Sequence, residues 1–269
     1  MEAILVQVRR GSAVEATHRV HVRSTAGGAY GDDFHCFFRS SLKPVQAVPL
    51  LEGYDDLDDD ELAVASSSHQ AEPAQLEAVG KLLARAGAEV SDLECGSQDG
   101  RPEGPLGHNC SGKHAGMLAA CRANDWPLHP YRELSHPLQR RVAALVGPAD
   151  IAVDGCGVPT FALPLSGMAA LFATTPEPIA AAMREHPELV GGRRADDTDL
   201  MRALPGWMAK RGAEGLLTAL APDGVAWAFK TEDGSSRALR PAIGQVLGID
   251  SFRTVDVRNT LGEVVGSVQ

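Results

Sequence analysis

Apolar positions follow one rhythm at the two ends of the chain and another in its middle. Residues 2–9 and 15–23 are rich in β-branched and aliphatic side chains, with Gly11-Ser12 between them, which is the pattern of a β-hairpin. Gly27-Gly28 and Gly31-Asp32-Asp33 mark turns, and Phe34 to Phe38 is a short apolar run that predicts a strand. Ser40 is then the expected N-cap of a helix, with Pro44 tolerated in its first turn. Further on, Leu76, Val79, Leu82 and Leu83 share one face of a helix predicted over 72–86. Helices are also predicted over 111–124, 135–146 (capped by Ser135, ended by Gly147-Pro148), 176–186, 197–210 and 235–247. Ile151-Ala152-Val153 predicts a short buried strand. The segments 216–220 and 225–230 flank Pro222-Asp223-Gly224, a hairpin signal, and 254–257 and 263–268 predict closing strands.

Strands at both ends with helices between them predict an α+β fold, residues 1–269 as a single domain, whose antiparallel sheet joins the N- and C-terminal hairpins. There is no internal repeat. Composition narrows the function classes. With a net charge of -10 and no stripe of Lys and Arg, the chain is not expected to bind nucleic acid. No apolar run approaches the ~18 residues of a membrane span. Met1-Glu2-Ala3-Ile4 lacks the basic-then-apolar pattern of a secretory signal, so the cytoplasm is the expected compartment. Five irregularly spaced cysteines do not form a disulfide framework. Five Lys stand against 20 Arg. Only Lys can give up its proton and act as a base, and several of these Lys lie beside Ser, Gly or Thr.

Five segments carry candidate chemistry. Arg39-Ser40-Ser41-Leu42-Lys43 is a Ser-x-x-Lys at a helix start; a partly desolvated Lys amine beside a Ser hydroxyl can take its proton. Ser66-Ser67-Ser68-His69-Gln70-Ala71-Glu72 offers a second hydroxyl at Ser68 and a carboxylate at Glu72 for a substrate amine. Gly107-His108-Asn109-Cys110-Ser111-Gly112-Lys113-His114 approaches a phosphate loop but has His114 where Ser or Thr is needed. Cys110 and Lys113 are instead candidates for one metal or one reactive site. Asp154-Gly155-Cys156-Gly157 holds a second thiol in a tight turn, and zinc favours thiolates. Lys230-Thr231-Glu232 resembles the Lys-Thr-Gly edge of penicillin-recognising enzymes, with Glu232 in place of Gly.

Taken together, the Arg39–Lys43, Ser68–Pro73, His108–Met117 and Asp154–Pro159 blocks resemble the rhizobial-type (class 3) L-asparaginases, the asparaginase II family. The resemblance implies a serine β-lactamase/glutaminase-like fold, a homodimer, and hydrolysis of L-asparagine to L-aspartate and ammonia. It implies two Ser–Lys pairs, Ser40 with Lys43 and Ser68 with Lys230, and a zinc site of Cys110, Lys113 and Cys156; a fourth position is expected to be taken by water or His114. Charge matching adds Arg39 for the substrate α-carboxylate and Glu72 or Asp154 for its α-amine, with His114 also among the substrate-binding candidates. Two rival readings are a β-lactamase or penicillin-binding-like serine hydrolase, which lacks a Ser-Asp-Asn triplet here, and a non-catalytic zinc-binding protein.

Overall fold

The computed structural model describes residues 1–269. Its strands are β1 (Ile4–Arg10), β2 (Ala13–Ser24), β3 (Ala29–Tyr30), β4 (His35–Phe37), β5 (Asp150–Val153), β6 (Pro159–Pro164), β7 (Met208–Gly212), β8 (Leu216–Leu220), β9 (Ala226–Thr231), β10 (Val255–Arg258) and β11 (Val264–Val268). The chain divides into two compact units: residues 1–36, 163–173 and 211–269 form one, and residues 37–162 and 174–210 form the other.

The first unit is built on the large antiparallel sheet, ordered β10-β11-β1-β2-β9-β8-β7 with β3 on β2. The N- and C-terminal strands meet as expected: Val8 pairs with Val268 and Arg10 with Gly266. At Gly266 a Cβ would stand 2.1 Å from the Arg9 carbonyl oxygen, so this crossing requires glycine. Alternation turns Val6, Val8, Val20 and Val22 into the core, where the helices Leu165–Phe172 and Leu239–Leu247 cover the sheet.

The second unit is mainly helical. The acidic stretch at residues 55–61 leads into a helix, Asp59–Ala65, started by a capping box in which Asp58 and Glu61 satisfy each other's backbone N–H groups. The amphipathic helix Pro73–Ala86 packs on the helix Ser111–Ala123. The latter is buried from Ser111 to Cys121, polar side chains included. It lies tightly against Asp59–Ala65 because Gly112 and Gly116 carry no side chain: a Cβ on Gly112 would be 2.2 Å from the Val64 carbonyl oxygen. That approach brings Cys110 and Lys113 beside the serines that follow Ala65.

Four local expectations are corrected. Ser40 is not an N-cap; it lies inside a 3-10 turn, Arg39–Leu42, whose cap position is Phe38. His136, not Ser135, caps the helix Pro137–Val146, its ring nitrogen accepting from Leu138 N–H. The strand β5 is exposed rather than buried, with Val153 75% accessible, because it pairs only with β6 at a sheet edge. The helix expected over 197–210 covers only Asp196–Ala203. Pro205 cannot donate and Gly206 adopts φ 82°, so the chain turns and re-enters as β7, carrying Lys210.

Candidate active site

Four of the five lysines are buried: Lys43, Lys113, Lys210 and Lys230. A buried amine needs compensating partners, and those partners define the site. Lys43 opens the helix Lys43–Gln46, directly after the Arg39–Leu42 turn. Arg39 itself has φ 50°, a left-handed conformation uncommon for a residue other than glycine and found where a site stores strain. The Lys43 amine donates to the Ser67 carbonyl, to Ser68 Oγ at 3.1 Å and to the Asn109 carbonyl at 3.4 Å. Ser68 Oγ also receives Lys210 Nζ at 2.9 Å. Lys210 in turn is 3.3 Å from Asp197 Oδ2, and both of these side chains are fully buried. Ser41, the neighbour of Ser40, fixes this strand by donating to the Lys210 carbonyl at 2.9 Å.

One serine hydroxyl is thus bracketed by two amines of different character. Lys210 has a carboxylate partner in Asp197. Lys43 has only carbonyls, a hydroxyl and thiols around it; burial, reinforced by the Lys113 charge, lowers its pKa against the opposing pull of Cys110 and Cys156. The backbone that presents Ser68 is held by Ser68 N–H to the Val190 carbonyl and His69 N–H to the Asn109 carbonyl. His69 is neutral, its pKa pushed down to about 3 by burial and by Lys43. Its Nδ1 accepts from Ala71 N–H, so Nε2 donates to Ser111 Oγ at 2.7 Å, and Ser111 Oγ donates in turn to the Leu106 carbonyl.

The two thiols expected at a metal adjoin this centre. Lys113 Nζ is 2.8 Å from Cys156 Sγ. A hydrogen bond with Cys156, together with Lys43 and Lys113, holds the Cys110 thiol well below its ordinary range despite burial. Burial opposes the charge of Lys113, but the two sulfurs outweigh it and raise its pKa. No three His, Cys, Asp or Glu side chains are arranged to hold a metal, so a metal here would need Lys113 as a ligand beside the two cysteines. The residues fit that role: two adjacent buried thiols, one already favouring thiolate, and an amine in contact with sulfur are donors of the sulfur and nitrogen type that zinc takes. Next to them His114 is fully buried, with Nδ1 bonded to Tyr131 and Nε2 completing no hydrogen bond.

The remaining candidates lie elsewhere or are engaged. Arg39 Nε and Asp154 Oδ1, expected at opposite ends of a substrate, are 2.6 Å apart and pair with each other. Asp154 also accepts from Gly155 N–H, tying the pair to the turn that carries Cys156. Glu72 is engaged by Arg193, through the backbone N–H at 3.1 Å and the guanidinium at 3.3 Å. Ser40 is half-buried and precedes Lys43 by one turn, but the Lys43 amine extends to Ser68 instead. Lys230 belongs to the other unit, where it donates to the carbonyls of Glu214 and Thr231. The amines at Ser68 are therefore Lys43 and Lys210, not Lys230. Lys210 and Asp197 are the residues that sequence reasoning missed. The signal was present: Lys210-Arg211-Gly212 is a Lys-x-Gly on a strand, closer to Lys-Thr-Gly than Lys230-Thr231-Glu232 is, but the predicted helix hid it.

A profile of the L-asparaginase II family matches residues 6–269. The chain belongs to the L-asparaginase II family. It is an amide-cleaving hydrolase, as the resemblance carried by the motif blocks implies. A search of curated proteins finds no match. Among solved structures, the chain is similar to a β-lactamase from Mycobacterium bovis, with 15% identity, 93% of this chain and 95% of that chain covered, and a TM-score of 0.35. No helix of this L-asparaginase II family member is long and apolar enough to cross a membrane.

Proposed function

We propose that the protein hydrolyses L-asparagine to L-aspartate and ammonia through a serine-bound acyl intermediate. The observation that carries the mechanism is Ser68 Oγ lying 3.1 Å from Lys43 Nζ and 2.9 Å from Lys210 Nζ. Lys43, the amine without a carboxylate partner, takes the Ser68 proton as Oγ attacks the side-chain amide carbon. Lys210, held charged by Asp197, stabilises the negative charge that develops. Lys43 then returns the proton to the departing nitrogen, and ammonia leaves an ester on Ser68. A water, losing its proton to Lys43, attacks that ester; the bond to Ser68 Oγ breaks, Lys43 returns the proton to Ser68 Oγ, and aspartate is released. Ser40, one turn away, is the second hydroxyl of the site and a candidate to relay protons.

Arg39 and Asp154 carry the two charges that complement the α-carboxylate and α-ammonium of an amino acid. Zinc is the metal we propose for Cys110, Lys113 and Cys156; when bound, it supplies positive charge beside the Ser–Lys centre. The bond-breaking step needs only the serine and lysines, so these ligands would shape the pocket and strengthen substrate binding. The assembly we propose is a homodimer and the compartment the cytoplasm.

The test is to offer purified protein L-asparagine, L-glutamine and nitrocefin while following ammonia and colour. Ammonia should come much faster from asparagine than from glutamine, because a site that bonds both ends of the shorter substrate accepts an extra methylene poorly. Equal turnover of glutamine would refute the specificity. Nitrocefin cleavage without ammonia release would refute the substrate class.

A further inference from the structure

His114 lies in the first half of the helix Ser111–Ala123 and has no accessible surface. Its neighbour Tyr131 is equally buried and meets the ring edge-on, with centroids 5.5 Å apart and planes at 72°. The tyrosine oxygen accepts the backbone N–H of Glu94 at 2.8 Å. Its own proton then has one acceptor in reach, His114 Nδ1 at 2.7 Å. Were Nδ1 protonated instead, the Tyr131 hydroxyl proton would be left without a partner in the interior, a cost of about 1–3 kcal/mol. Nδ1 is therefore an acceptor, and the neutral ring carries its hydrogen on Nε2. Nε2 completes no full hydrogen bond, and the polar side chain it faces is Cys156. Lys113 Nζ contacts the same sulfur at 2.8 Å.

We propose that His114 is a positioning residue and not a metal ligand: Tyr131 sets its tautomer, and its Nε2–H is directed at the Cys156 sulfur. A nitrogen that carries a hydrogen has no lone pair for a metal, so the ring orients the Cys156 sulfur from outside the ligand set. The metal-affinity part of this inference rests on the proposed zinc site; the tautomer and the N–H to sulfur contact do not.

Two measurements on the full chain test it. In metal-free protein labelled with 15N-histidine, His114 should show the Nε2–H tautomer. Tyr131→Phe should turn it into a mixture, and Cys156→Ala should move the Nε2–H proton resonance. An Nδ1–H tautomer in the wild type, or a resonance unmoved by Cys156→Ala, overturns the proposal whether or not metal binds. In the second measurement, zinc affinity is read by competition with a chromophoric chelator, and cobalt absorption reports the donor set. His114→Ala should weaken zinc binding by about 10–100-fold, as loss of an outer partner of a ligand does, with the cobalt ligand-field bands preserved. Bands that change to a smaller donor set would make His114 a ligand and overturn the proposal. Wild-type protein that takes up neither metal would defeat the zinc reading alone, leaving the histidine spectra to decide this one.

Discussion

Lys43 and Lys230 look alike in sequence, each directly after an apolar residue (Leu42, Phe229) and within two residues of a hydroxylated one (Ser41, Thr231), and both are buried. Each donates to two backbone carbonyls, and their surroundings differ beyond these. Lys230 donates to two backbone carbonyls and lies 5.5 Å above the centre of the Phe34 ring. Carbonyl dipoles and an aromatic face both favour an ammonium, so this amine serves as a structural cation in the sheet unit. Burial lowers the pKa of both lysines, yet only Lys43 has a hydroxyl that can surrender a proton to it. The contrast teaches that burial and a depressed pKa do not make a base. A base is made by what lies within about 3 Å of the nitrogen.

Substitution separates the two amines most sharply. Lys43→Ala and Lys210→Ala should each lower kcat by roughly 10²–10⁴-fold, the range for a lost acid–base or charge-stabilising group. Lys43→Arg should not restore activity, since a guanidinium cannot take a proton at working pH. Lys230→Ala should keep kcat within about tenfold and instead lose stability. A loss at Lys230 equal to that at Lys43, with the fold intact by circular dichroism, would erase the distinction.

Asp197 is the group that makes Lys210 unlike Lys43. The pair is fully buried at 3.3 Å, and Asp197 Oδ1 also accepts from Thr198 N–H. Removing one charge from a buried pair strands the other, so Asp197→Asn should cost about 3–5 kcal/mol in urea unfolding. A cost under about 1 kcal/mol would mean that something else keeps Lys210 charged.

Much of this contrast was hidden in the sequence, for a specific reason. The hairpins, the meeting of β1 with β11 and the helices at 73–86 and 111–123 were legible because periodicity is local. Ser68, Cys110, Lys113 and Cys156 were legible as motifs, and the fold does gather them in one unit. The pairing of amine with hydroxyl was not, because it depends on where a strand passes in space. Lys43 and Ser68 are 25 residues apart, and Lys210 lies 142 beyond Ser68. The Ser-x-x-Lys spacing suggested a partnership within one helical turn, but the chain forms a 3-10 turn at that point and the Lys43 amine bonds Ser68 Oγ. At Lys210 the error was one of period. Apolar residues over 197–210 suit a helix until Pro205-Gly206 is given its weight as a breaker.

The thiol pair offers a third contrast with the Ser68 centre, at smaller amplitude. If the chemistry belongs to the serine and lysines, chelation should raise KM several-fold more than it lowers kcat, since lost binding with retained chemistry reads that way. Elemental analysis of protein purified without added metal should find zinc, and Cys110→Ser with Cys156→Ser should abolish it. Zinc retained by the double variant would exclude these cysteines as ligands. Complete loss of kcat on chelation, with the fold intact, would move the metal into the reaction.

Lys81 supplies the baseline, being the one lysine at the surface. Its amine reaches Asp58 Oδ2 at 2.9 Å and Asp60 Oδ2 at 3.0 Å, with the Lys81 side chain 38% accessible. Exposed pairs of this kind contribute about 0–1 kcal/mol, so Lys81→Ala should cost no more than that and leave kcat unchanged. The pH dependence fixes the sign. Burial would raise the Asp58 pKa, but the Glu61 N–H and Lys81 outweigh it and bring it below the ordinary 3.8. A carboxylate depressed in the folded state stabilises above its unfolded pKa, and the benefit is lost as pH falls through the folded value. The difference in stability between wild type and Lys81→Ala should therefore be present at neutral pH, shrink in high salt, and close as the solution is acidified below about pH 3.8. A gap that widened in acid would mean that Lys81 supports the helix starting at Asp59 through packing of its stem, and that even the surface lysine owes its role to something other than its charge.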